Sequence, residues 1–159
     1  MADMKMVQFH EGDIILREDE TYNEMYKIIK GHAEIYIGYG TKQESLIKII
    51  GEQTCFGELG VLLNKPSIYT VVAYSDILAL KISKELLGEF VIKNHQTVID
   101  LMKNMADTMM TMRMQLENLL KEIESGVSPD EKTLLNTKKL MRSYGMYKSI
   151  EEAVHSMKS

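Results

Sequence analysis

Tryptophan is absent from the 159 residues, proline occurs twice and cysteine once. The lone Cys55 excludes an internal disulfide framework and cannot ligate an iron–sulfur cluster. No apolar run approaches the ~20 residues of a membrane span. The opening Met1-Ala2-Asp3-Met4-Lys5-Met6 is too polar for a secretory signal, so a soluble, cytoplasmic protein with no membrane partner is expected. An excess of positive charge is missing too. Nineteen Lys and Arg stand against 23 Asp and Glu, a formal charge of −4, and a broad electrostatic affinity for nucleic acid is not expected. His10, His32, His95 and His155 are scattered without ligand spacing, which argues against a metal site. No Ser-His-Asp arrangement, nucleophile elbow or Walker motif occurs, so no enzyme and no catalytic residue is expected. The 45% hydrophobic and 26% charged residues are those of a folded chain long enough to bury its own core.

The composition changes along the chain. The first ninety residues hold eight of the ten glycines, all three phenylalanines and six of the eight tyrosines. Short β-patterned runs fill this part, Asp13–Arg17, Met25–Ile29, Ala33–Ile37, Ser45–Ile50, Ile68–Ala73 and Ile77–Ile82, and most alternate apolar and polar as half-buried strands do. Turn signals at Lys30-Gly31-His32, Gly38-Tyr39-Gly40 and Gly51-Glu52 separate them. No helix of useful length fits before Glu58, so the sheet is antiparallel, a barrel or sandwich. Ser83 reads as the N-cap of a helix over Lys84–Ile92. Tyr69 and Tyr74, at an odd spacing on one strand, fall on opposite faces.

From Val91 to Ser125 there is no Gly, Pro, Phe, Tyr or Trp, and six of the thirteen methionines crowd into Met102–Met114. Val98, Met102, Met105, Met109, Met112, Leu116, Leu119 and Ile123 follow one another at spacings of 4, 3, 4, 3, 4, 3 and 4. That two-in-seven stripe is the seam of a coiled coil and points to a homodimer; the plainer alternative is a helix packed on its own barrel. Methionines at seam spacing are core fillers here, with no sign of a haem or soft-metal site.

The stretch Phe56-Gly57-Glu58-Leu59-Gly60-Val61-Leu62-Leu63-Asn64-Lys65-Pro66-Ser67-Ile68-Tyr69-Thr70-Val71 resembles the phosphate-binding cassette of the cyclic-nucleotide-binding domain. That family includes bacterial regulators of the catabolite-activator type, cyclic-nucleotide-dependent kinase subunits and gated channels. Phe9, Glu11-Gly12-Asp13, the strand Met25–Ile29 followed by Lys30-Gly31, Ser75-Asp76 and Ile82-Ser83 agree with it in order, and the likeness covers about Val7 to Ile123. The resemblance implies a mainly β fold with added α: an antiparallel β-roll (a double-stranded β-helix or cupin-like jelly roll), a long dimerisation helix and a short helical tail. In the family, the glutamate of the cassette takes the ribose 2′-hydroxyl, the short helix beside it turns backbone N–H groups to the phosphate, and an arginine after the proline pairs with that phosphate. Phe56, Gly57, Glu58 and Leu59 match; Ser67 stands where the resemblance places the arginine, and Ile68 where it places a small residue. These six residues form the candidate pocket. Losing such a charge-assisted contact costs on the order of 2–5 kcal/mol, or roughly thirty- to several-thousand-fold in affinity. The alternative role of Gly57 and Glu58 is a turn and helix cap, and Cys55 beside them reads as a small buried residue.

The expected organisation is a β-roll over 1–92, a coiled-coil helix over 93–125 and a short helical tail over 126–159. Ser128-Pro129-Asp130-Glu131 is a capping box that opens a helix to Arg142, and Ser149-Ile150-Glu151-Glu152 starts another. Regulators of the family continue into a winged helix-turn-helix of roughly seventy residues. Only 33 residues follow Gly126, with six Lys and Arg against four Asp and Glu after Ser125. The tail therefore suits a protein partner better than DNA. The expectation is a non-catalytic regulatory or sensor module, homodimeric, with no cofactor and no usual binding of cAMP or cGMP. Two alternatives stay open: a working receptor for a cyclic nucleotide or other small ligand, and a catabolite-activator-type regulator with a truncated DNA-binding tail.

Overall fold

The computed structural model describes residues 4–126 apart from Gln43. The capping box and both helices expected in the tail lie outside the described residues. The chain divides into two compact units, Met1–Met102 and Lys103–Ser159.

The first unit is a roll of two four-stranded antiparallel sheets. Strands β1 (Lys5–Phe9), β8 (Ile77–Ser83), β3 (Glu24–Lys30) and β6 (Cys55–Phe56) form one, in that order. The other runs β2 (Ile14–Leu16), β7 (Thr70–Ala73), β4 (Ala33–Ile37) and β5 (Ser45–Ile50). Alternation in the sequence becomes alternation in burial along β4, where Ala33, Ile35 and Ile37 are buried and Glu34 and Tyr36 half-buried. Ile15, Leu16, Tyr26, Ile28, Phe56, Val71 and Ala79 lead the core between the sheets.

Strand β3 is buried on both sides. Tyr26 and Ile28 face the core, while Met25 belongs to a second cluster with Val61, Ile82 and Phe90. The residues of that cluster come from β3, β8, α1 (Glu58–Leu63) and α2 (Leu87–Lys93). Lys27, on the same face as Met25, is 8% exposed and donates to Asn94 Oδ1 at 3.5 Å. Helix α1 ends at Asn64, whose left-handed backbone (φ 53°) returns its N–H to the Gly60 carbonyl at 3.0 Å.

Two strands escaped the sequence reading: β1, which pairs with β8 seventy or so positions later, and β6, two residues long. Ser83 stands at the expected N-cap position, extended (φ −81°, ψ 167°) and also paired with Glu24 as the last residue of β8, but its side chain makes no cap bond. Its hydroxyl meets the Glu85 carboxylate instead and holds it below the usual carboxylate range. The helix expected over Lys84–Ile92 is split into a 3-10 turn, Lys84–Leu86, and α2.

Helix α3 (His95–Glu124) begins after a break at Asn94 (φ −131°, ψ 47°). The expected boundary at 92–93 thus falls two residues before the long helix. Val98, expected in the seam, packs with Leu101 against the second cluster of the roll. Met102, Met105, Met109 and Ile123 are exposed, and Met112 and Leu116 are half-exposed. No helix among the described residues is long and apolar enough to cross a membrane.

Two glycines carry opposite expectations. A Cβ at Gly60 would collide with the Tyr22 carbonyl oxygen, whereas one at Gly88 in α2 meets nothing within 4 Å. Gly60→Ala should therefore destabilise the roll by about 1–3 kcal/mol, and Gly88→Ala should stabilise it by about 0.5–1 kcal/mol. Urea unfolding of the two variants beside wild type checks both signs.

Candidate functional site

The run from Phe56 to Val71 folds as strand end, tight turn, short helix and returning strand. Phe56 is 1% exposed and stacks on Tyr26 with ring centroids 5.4 Å apart, so it anchors the turn in the core. Gly57 is left-handed (φ 85°), and a Cβ there would lie 3.2 Å from the Glu24 carbonyl oxygen and 3.3 Å from the Met25 Cα. With Gly60 against Tyr22, the two glycines let α1 press onto the start of β3. This close approach explains both glycines before any ligand is invoked.

Glu58 opens α1, and its carboxylate is engaged from within the chain. Tyr69 Oη donates to Glu58 Oε2 at 3.3 Å, and the Gly57 N–H donates to the same Tyr69 oxygen at 3.4 Å. Both contacts are long, yet together they use the phenol hydroxyl as donor and acceptor. Burial, then the Glu58 carboxylate, push the Tyr69 phenol far above its ordinary value of 10.0, so it keeps its proton.

Ser67 is 8% exposed and tied down on every side. Its hydroxyl donates to the Tyr69 carbonyl at 2.6 Å, its N–H donates to the Glu20 carbonyl at 2.8 Å, and its own carbonyl accepts from the Asp19 N–H at 2.8 Å. A small cavity lies beside it, lined by Leu16, Tyr22, Gly57, Leu59, Gly60, Ser67 and Tyr69. Its empty space is about 220 Å³ even counting the open mouth, below the ~300–1,000 Å³ of ordinary ligand pockets. None of the lining side chains is cationic.

Of the six candidate pocket residues, Gly57, Leu59 and Ser67 line this cavity. Phe56 lies in the core beneath it, Glu58 adjoins it through Tyr69, and Ile68 is half-buried outside its lining. The sequence reading missed Tyr22 and the role of Tyr69. Tyr22 Oη accepts from the Arg17 N–H at 2.8 Å and donates to Glu20 Oε2 at 2.7 Å, a contact that only an aromatic among polar loop residues hints at. No group of three or more metal-ligating side chains occurs among the described residues.

The sequence pattern of the Cyclic nucleotide-binding domain matches residues 6–94. Potassium channel AKT2 of Oryza sativa subsp. japonica is 24% identical over 115 residues, which are 72% of this chain and 13% of the channel. The chain thus spans a small part of that relative. Among solved structures, the catabolite activator protein of Thermus thermophilus superposes with a TM-score of 0.63 at 17% identity, covering 95% of this chain and 80% of that one. The regulatory subunit of a cAMP-independent protein kinase A from Trypanosoma brucei gives a TM-score of 0.52 at 24% identity, over 65% of this chain and 37% of that one. A variant of that subunit, with adjacent threonine and valine changed to arginine and alanine and a glutamate changed to alanine, is bound to cAMP in its A site.

Beside the cassette, Cys55 is half-buried, and burial pushes its thiol from 9.0 up to about 11, with Lys27 opposing the shift and Glu58 adding to it. A raised value in the fold means that the thiol's contribution to stability is intact below pH 9 and is lost between pH 9 and about 11. Alkylation of the native protein by iodoacetamide should be slow at pH 8–9 and accelerate only toward pH 11, while denatured protein reacts readily at pH 9. Mass spectrometry of timed samples checks this, and rapid native labelling at pH 8 would contradict a shielded thiol.

Proposed function

The chain belongs to the cyclic nucleotide-binding domain family, and on that premise we propose that it acts as a non-catalytic regulatory module whose nucleotide pocket is degenerate. One observation carries the reading: Ser67, where the family resemblance places a phosphate-binding arginine, is buried and spends its hydroxyl on the Tyr69 carbonyl. No cationic side chain lines the cavity, so a cyclic phosphate would enter without a charge partner. The loss of such a contact is worth on the order of 2–5 kcal/mol. The Trypanosoma brucei subunit supports the reading, since its name is that of a cAMP-independent regulator and its cAMP-bound variant carries an introduced arginine–alanine pair.

The output of the module, in this proposal, is a parallel homodimer through α3. The helix is 30 residues long, ~45 Å at a rise of 1.5 Å each. Its seam residues Met102, Met105, Met109 and Ile123 stand exposed, and Leu119 continues the same stripe in the sequence. Arg113 and Glu117 pair along the helix at 2.8 Å, away from the seam positions. Each large apolar side chain buried against a twin stabilises the pair by ~1.5–3 kcal/mol before entropy costs.

Calorimetry with cAMP and cGMP should show no saturable binding to wild type below roughly 100 μM, the ceiling set by the missing charge-assisted pair. A low-micromolar isotherm would falsify the degenerate pocket. Ser67→Arg with Ile68→Ala should bring weak binding within reach.

Light scattering should give twice the chain mass of 18.2 kDa at micromolar concentration. Met109→Glu with Leu116→Glu, which would bury two carboxylates per chain, should shift the mass to that of a monomer. A wild-type mass near 18.2 kDa would end the dimer assignment.

A further inference from the structure

We infer that Tyr69 is a built-in occupant of the cassette, an internal phenol holding shut the groups that would otherwise face a ligand's hydroxyl. This rests on the degenerate-pocket reading above and adds what fills the site. Tyr69 Oη contacts the Glu58 carboxylate at 3.3 Å and the Gly57 N–H at 3.4 Å. These are an acceptor and a donor side by side at the mouth of α1, and a single neutral hydroxyl serves both. An anion would meet the Glu58 carboxylate with the wrong charge, whereas a phenol donates to it.

The aromatic ring is held independently of its hydroxyl. Tyr69 packs against the main core cluster, and its backbone is fixed by Ser67, whose Oγ donates to the Tyr69 carbonyl at 2.6 Å. The hydroxyl is therefore delivered to Glu58 and Gly57 by an anchored ring. Tyr69 is among the residues that line the small cavity alongside. Removing that side chain would join its volume to the cavity and leave Glu58 and the Gly57 N–H facing the new space, a site shaped for a small neutral phenol.

The test is cavity rescue. Tyr69→Ala is melted with increasing p-cresol or toluene, which have the same ring and methyl group and differ by the hydroxyl. The expected result is a concentration-dependent rise in melting temperature, with p-cresol binding at least about five-fold tighter than toluene and neither shifting wild type. Equal shifts from the two compounds, or no shift in a folded variant, would overturn the inference. Should Tyr69→Ala not fold, Tyr69→Phe keeps the ring. In it the Gly57 amide should exchange with solvent at least about five-fold faster than in wild type, while the Asn64 amide, bonded to Gly60, is unchanged. Unchanged exchange at Gly57 would overturn the inference as well. A saturable cAMP isotherm for wild type sinks the degenerate-pocket reading itself, and the cresol and exchange data speak to Tyr69 alone.

Discussion

The double burial of β3 is the constraint on which the rest of this domain depends. A strand covered on one face needs only alternation. One covered on both must place apolar or satisfied side chains at every position, and Met25, Tyr26, Lys27 and Ile28 are all buried. Lys27 is the costly member, and its contact with Asn94 ties the strand to the junction between α2 and α3. Helix α1 covers part of the outer face beside α2, and its close approach excludes a side chain at Gly57 and Gly60.

From that packing the chemistry of the cassette follows. Once α1 lies on β3, the Gly57 N–H and the Glu58 carboxylate are aimed across the turn at the segment leading into β7. Whatever the chain carries there meets them first. Here it carries Ser67 and Tyr69, and both turn inward, one to main chain and one to the helix start. In the function proposed above, these hydrogen bonds, all within fifteen residues of sequence, close the geometry that a nucleotide-binding relative would offer to a ligand.

Much of this was legible beforehand. The bounds of β4 and β5 agree to the residue, β4 because its alternation is uninterrupted and β5 because Gly51 ends its apolar run, and the family was evident from the order Phe56-Gly57-Glu58-Leu59. The misses share a cause. Strand β6 is too short to show a period, and β1 exists by virtue of a distant partner. Tyr69 and Tyr74 were expected on opposite faces of one strand, but β7 (Thr70–Ala73) is shorter and leaves both outside it, so no strand face orients either ring. Tyr74 is 55% exposed, and Tyr69 reaches a carboxylate eleven positions away, a contact set by the fold of the whole turn.

A hydroxyl carried on the chain differs from a diffusing ligand in one further respect. A receptor stabilised by a free metabolite is as stable as that metabolite is abundant, since its free energy follows the logarithm of concentration over Kd. The Tyr69 hydroxyl is tethered, so its effective concentration at Glu58 is constant and cannot be diluted or depleted. On the proposed reading, the turn around Gly57 holds one occupancy whatever the nucleotide level of its surroundings, and changes in its state arrive through the protein itself, by way of the elements that grip Tyr69.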